Sequence, residues 1–422
     1  MLLNLLLITN TVVPILCIIG FCHSKKGFQI DHVFIVSAGY LYYWMMPLFT
    51  YHYGFLETLN IYEAEIASLL GVENYIIEYN MKIKYLIIAF GIYASFIIGH
   101  ALSIRIRINY YRIYPFSIKP LLYMSYIFLA LLILFTVANY EYYFRGYTKT
   151  IFTFKGNVIA LNLFILTLLI MYFTLSNKSY KYKYIFKNNI FYVYLLSSIF
   201  LASLGNRTWI VCGILSFLII YTNYYKRLQI KYLLLGFITL IIALAFFAQY
   251  RTGNFNRLPI NRIIYLGLFD TFAIHNGLKG YLINNEIQLF NFPIVLFSKF
   301  FNMIPTLIMP NKAELYVTYS EIGVNVKSIQ AAWHAFGLMM VHFGAVGSML
   351  VSFSLSILLN YLRNSIYLKA SYVVITAHLA APIFRDFDNY AIKIFLQISI
   401  IMPFIYLLIC NMYPKKKYFL NK

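Results

Sequence analysis

Five arginines, a histidine and two aspartates are the residues of this chain best suited to chemistry. Arg207 lies in SLGNRTW, Arg251 in AQYRTGN, Arg257 and Arg262 in NFNRLPINR, and Arg385 opens RDFDN. Arginine stays protonated, and its planar guanidinium presents paired donors that match phosphate oxygens. Several on the lips of neighbouring helices would hold a lipid-linked phosphate or pyrophosphate. The same side chains could instead snorkel to headgroups or pair with nearby acids. His334, in SIQAAWHAFGLMMVHFG, titrates near neutrality and could activate a hydroxyl or bind an acceptor. A place beside Trp333 in an aromatic belt is its alternative. His342 follows two helical turns later on about the same face. Asp386 and Asp388 flank Phe387, where they could supply a base, hold Arg385, or form a solvated turn. Glu141 and Glu321 are further acids available as a base, and Asp270 and His275 show no metal-ligand spacing. No phosphate-binding loop, zinc motif, nucleophile elbow or dinucleotide fingerprint is present in the sequence.

What must position these residues is a membrane bundle. Of the 422 residues, 62% are hydrophobic and 11% charged, whereas a soluble domain is about half apolar and a quarter charged. This excludes a soluble enzyme, a disordered chain, a collagen-like fibre and a coiled coil. The apolar runs are continuous rather than alternating, which points to membrane-crossing helices and away from a barrel. The expected fold is therefore all-α: a polytopic membrane protein in one integral membrane domain, 1–422. Eleven spans are predicted, at 2–22, 32–51, 83–103, 120–140, 157–176, 189–205, 208–224, 232–250, 333–360, 370–384 and 390–412. The first lacks a small-residue cleavage signature and reads as a retained span. Gly337, Gly344, Ala345 and Gly347 in the ninth read as close-packing positions. The four cysteines, Cys17, Cys22, Cys212 and Cys410, lie in apolar segments with no metal-ligand spacing, and a disulfide framework is not expected.

Charge tests the list of spans. The net charge is +21, from 34 basic and 13 acidic residues. The connections after spans 1, 3, 5, 7 and 9, together with the C-terminal tail, hold 19 of those basic residues and, at a boundary, a single acid, Asp31. By the positive-inside rule this side is cytoplasmic, with the N-terminus outside and the C-terminus inside. The excess of basic residues is thus accounted for without nucleic acid. The arginines named above fall on the opposite side, where that rule does not explain them. Segment 292–311 is apolar but carries Pro293, Pro305, Pro310 and Lys299, and spanning would move the basic tail outside. It is predicted to be a re-entrant or interfacial segment roofing a cavity, since non-helical backbone at membrane depth needs protein or water beside it. It belongs to a large outer loop, 251–332, expected to be helical; a smaller outer loop, 52–82, carries five acids.

The many spans, two enlarged outer loops and arginines near them resemble the bacterial O-antigen, or oligosaccharide repeat-unit, polymerases of the Wzy type. SLGNRTW, AQYRTGN and SIQAAWHAFGLMMVHFG resemble places where these polymerases and the related O-antigen ligases carry functional residues. The resemblance implies a multi-pass protein of the bacterial inner membrane with a periplasm-facing glycosyltransferase site. The donor would be a glycan on undecaprenyl pyrophosphate. An acceptor hydroxyl of one new lipid-linked repeat unit would attack the anomeric carbon, and the lipid pyrophosphate would leave. The product would be O-antigen or capsular polysaccharide. Arg207, Arg251, Arg257 and Arg385 would stabilise the pyrophosphate; His334, with Asp386 or Asp388 behind it, would activate the hydroxyl. Pyrophosphate leaves readily, so no metal or other cofactor is required. A chain-length regulator and a flippase are the implied protein partners. The alternatives are an O-antigen ligase and a polysaccharide flippase or other transporter; a transporter would show two similar halves and polar residues deep in its spans, and the sequence shows neither.

Overall fold

The computed structural model describes residues 2–55, 79–105, 118–142, 152–175, 188–204, 207–224, 226–236, 238, 239, 242, 288–301, 309–315, 317, 335–365, 368–379 and 400–412. Among them, six helices are long and apolar enough to cross a membrane: Leu2–Cys22, His32–Thr50, Lys82–Ser103, Lys119–Ala138, Val158–Leu175 and Gly337–Asn364. Asn189–Ser203 and Ile210–Asn223 are shorter apolar helices. These eight coincide with spans 1–7 and 9 of the sequence reading. Spans 8, 10 and 11 fall partly outside the described residues, as do most of loops 52–82 and 251–332.

The helices are α1 (Leu2–Cys17), α2 (His32–Gly39), α3 (Met46–His52), α4 (Tyr79–Ser103), α5 (Ile118–Ala138), α6 (Phe152–Leu175), α7 (Asn189–Ser203), α8 (Arg207–Tyr224), α9 (Ile294–Phe301), α10 (Ala335–Asn364), α11 (Lys369–His378) and α12 (Met402–Met412). Turns of π-helix extend α1 over Ile18–Cys22 and join α2 to α3 over Tyr40–Met45. A two-residue hairpin, β1 (His23–Ser24) with β2 (Gly27–Phe28), departs from the all-α expectation. Phe28 and Leu228 exchange backbone hydrogen bonds of 2.8 and 2.9 Å, tying this hairpin to the segment after α8.

Each span is apolar all round, because one side faces protein and the other lipid. In α1, Leu3, Leu7, Asn10 and Pro14 are buried. Leu5, Ile8, Val12, Leu16 and Ile19 form an exposed stripe at the same helical spacing. The one polar member of the inner stripe is satisfied: Asn10 accepts from the Tyr40 hydroxyl and donates to the Leu6 carbonyl at 2.8 Å. The most extensive helix pair is α4 with α10. At Gly99 the backbones come close, since an added Cβ there would stand 2.5 Å from the Phe353 carbonyl oxygen. Close backbone approach through small residues is how helices associate without a hydrophobic driving force. Ser352 adds a 2.9 Å hydrogen bond to the Ile92 carbonyl across this pair. α11 then packs against α8, α6 and α10, closing the bundle.

Candidate functional site

One end of the bundle holds a buried polar network. His32 and His100 meet at 2.9 Å, Nε2 to Nδ1, and the Tyr372 hydroxyl lies 3.1 Å from His32 Nδ1. Asn360 Nδ2 faces the Ser103 hydroxyl at 2.7 Å, His100 Nδ1 at 3.1 Å and the His100 carbonyl at 3.3 Å. The carbonyl can only accept, so the Asn360 nitrogen is the donor. That nitrogen carries two hydrogens for its three contacts, and the bond between the two rings has its hydrogen on either His32 Nε2 or His100 Nδ1.

Beside the histidines, Arg363 pairs with Asp31 at 3.2 Å. Asp31 also caps α2, accepting from the Val33 and Phe34 amides at 3.0 and 3.1 Å, and takes the Cys22 thiol at 3.4 Å. Thr222 and Asn223 of α8 hold the backbone of Ile30, each at 3.0 Å. Burial raises the Asp31 carboxyl, but His32, Arg363 and the Phe34 amide outweigh it, and the carboxyl lies below its ordinary value of 3.8. A carboxyl lowered on folding stabilises the fold above its unfolded value, and the contribution is lost as pH falls through the folded one. The gap in unfolding midpoint between the wild type and Asp31→Asn is thus expected to be full above about pH 4 and to close in more acid solution, as read by thermal unfolding in detergent across a pH series.

This end gathers the connections after spans 1 and 7 and the ends of spans 3 and 9, with Arg227 joined to Gln29 at 3.3 Å. These are the basic connections of the sequence reading. The opposite end is then defined by the same helices. α8 runs from Arg207 to Tyr224 and α10 from Ala335 to Asn364, so Arg207 and Ala335 open their helices at the far end. There His52 reaches Asn4 at 3.0 Å, joining the start of α1 to the end of α3.

Of the residues singled out for chemistry, Arg207 is placed as the first residue of α8. His334 immediately precedes α10 and lies outside the described residues, as do Arg251, Arg257, Arg262, Asp270, His275, Glu321, Arg385, Asp386 and Asp388. Glu141 is exposed. His342 is buried, 1% exposed, two residues before a break in α10. The break is a correction to the sequence reading, which took span 9 as one helix and Gly344 as a helix-packing glycine. Gly344 has φ 73° and ψ −177°, and residues 288–291 pack against it. From Gly344 to Arg363 the helix rises about 28 Å at 1.5 Å per residue, close to a hydrocarbon thickness of about 30 Å. The break therefore lies near one membrane surface. α9, eight residues long and about 12 Å, is too short to cross. Among the described residues no group of three or more His, Cys, Asp or Glu could hold a metal.

Comparison with protein-family models, curated proteins and solved structures gives no match for this chain. The polar network was missed in the sequence because its members sit at span ends far apart in the chain. The available signal was His32 and His100 inside apolar runs, where ionisable groups are costly and rarely without a partner.

Proposed function

We propose that this protein is a periplasm-facing glycosyltransferase that polymerises lipid-pyrophosphate-linked oligosaccharide repeat units in a bacterial inner membrane. One observation carries the reading: Arg207 and Arg251 stand at the outer ends of successive predicted spans, with Arg257 close behind, on the side opposite the basic connections, where the positive-inside rule does not explain them. The position of Arg207, opening α8 at the end away from the basic connections, supports it. The N-terminus of a helix adds partial positive charge at that point. In the reaction an acceptor hydroxyl forms a bond to the anomeric carbon, the bond from that carbon to the pyrophosphate oxygen breaks, and the hydroxyl proton passes to a base, assigned to His334 with Asp386 or Asp388 behind it. Arg207, Arg251, Arg257 and Arg385 stabilise the charge that grows on the leaving group. The break in α10 lies near a membrane surface, a depth that does not favour a transporter, whose discontinuous helices meet near the midplane.

The test is a glycan ladder on a gel. Deleting the gene in its host is expected to leave lipid core carrying one repeat unit, because export and ligation continue, and complementation is expected to restore the ladder. A core with no repeat unit at all would sink the polymerase reading. Polymer accumulating on the lipid carrier would then indicate a ligase, and single units held on the cytoplasmic side a flippase.

A further inference from the structure

The break in α10 is bridged by a distant segment. In a continuous helix the amides of Ala345, Val346 and Gly347 would donate to the carbonyls of Val341, His342 and Phe343. Instead Ala345 donates to the Gln288 carbonyl at 2.9 Å, and Val346 and Gly347 to the Leu289 carbonyl at 3.0 and 3.4 Å. In return the Asn291 backbone amide donates to the Phe343 carbonyl at 3.0 Å, and its side-chain amide to the Val341 carbonyl at 3.1 Å. Residues 288–291 therefore occupy the hydrogen-bonding positions that one turn of helix would occupy. A side chain at position 344 would prevent this. An added Cβ would stand 2.7 Å from the carbonyl oxygens of both Gln288 and Leu289, and φ 73° lies in the left-handed region that other residues enter at a cost.

The bridging segment is held mainly through its backbone. Leu289, Phe290 and Phe292 are 67%, 61% and 73% exposed. The following helix α9 buries only Val295 and Ser298 among the side chains described for it. Two arrangements of the same groups are then available. With the segment docked, α10 is bent and its three free amides bond to the segment. With the segment released, Gly344 turns to helical angles and the three amides recover the carbonyls of 341–343. The helix has its amides satisfied in both. The groups that the segment gives up, two carbonyls and the Asn291 donors, turn to water at the membrane surface.

We propose that α10 is a two-state joint at Gly344, closed by docking of residues 288–301 as a strap and straightened by their release. The state of the joint sets the direction of Ala335–Phe343, about 13 Å of helix, and so of the chain at His334 that leads into it. Resting on the polymerase reading, the joint gates the far-end site to a lipid-borne substrate.

Hydrogen–deuterium exchange on the full chain in nanodiscs tests the joint without reference to activity. Gly344→Ala disfavours the docked state through both the left-handed backbone and the clash. Exchange at the strap amides around Asn291 is expected to rise about tenfold or more, while the amides of 345–347 stay slow, because they re-form helix. Asn291→Ala, which removes one strap bond from outside the helix, is expected to act in the same direction and several-fold less. Strap exchange that is unchanged in both variants overturns the joint. So does fast exchange of 345–347 together with the strap, which would mean that the helix end unravels instead of closing. The glycan ladder reports separately on the polymerase reading, so its failure and failure of the joint are distinguishable.

Discussion

Arg251→Ala and Arg207→Ala are each expected to slow polymer formation about 100- to 1,000-fold, the usual loss when one preorganised donor to a developing anion is removed. In the proposed reaction the leaving group is a lipid pyrophosphate. As the glycosidic bond breaks, negative charge grows on a pyrophosphate oxygen, and a cation already fixed beside it needs no reorganisation. At a membrane surface the local dielectric is lower than in water, which strengthens the interaction. Lysine in either position retains charge but lacks the fork that engages two oxygens at once, so Arg→Lys variants are expected to recover only part of the rate. The measurement is the rate of chain growth in proteoliposomes supplied with lipid-linked repeat units, at matched protein content. Alanine variants within about threefold of the wild type would remove these arginines from the chemistry.

Arg363→Gln is expected to cost about 3 kcal/mol, the low end for breaking a buried ion pair, because the arginine side chain remains 25% exposed. Asp31 is 2% exposed, and without its partner the carboxylate would rely on the α2 amides and the Cys22 thiol. The loss should appear as an unfolding midpoint in detergent lowered by roughly 5 °C or more. Asp31→Asn combined with Arg363→Gln removes the stranded charge and is expected to regain part of the loss. A single Arg363→Gln variant that unfolds with the wild type would mean that the pair contributes nothing to the joining of α2 to α10. Because the pair lies at the end of the bundle away from Arg207, this variant is expected to alter stability without slowing chain growth in the protein that remains folded.

Two of the sequence's strongest patterns carried over to the structure. Runs of about twenty apolar residues became helices at eight of the predicted positions, because a backbone in lipid must satisfy its own hydrogen bonds. The alternation of basic and non-basic connections matches the way that Asp31, His100, Asn223 and Arg363 meet at one end. The short hairpin, the π-turns and the break in α10 were not legible. The hairpin and the break depend on partners distant in sequence, the Leu228 backbone for the one and Asn291 for the other. The segment AFGLMMVHFGAVGSML reads as continuous helix by periodicity alone, and its glycines read as packing positions.

By itself the sequence determined that this chain is a helical membrane protein, where most of its spans begin and end, and which connections share a side. Those properties follow from local hydropathy and charge. The tertiary structure decided which face of each span is buried: lipid is as apolar as the protein interior, so Leu5 and Leu7 look alike in the sequence, yet one is exposed and the other buried. It also decided that two histidines 68 residues apart share a hydrogen bond, and that residues 288–291, more than fifty positions upstream of Gly344, replace one turn of its helix. Hydrogen-bond partners at a helix break are chosen by three-dimensional proximity, and no local pattern of residues encodes that choice.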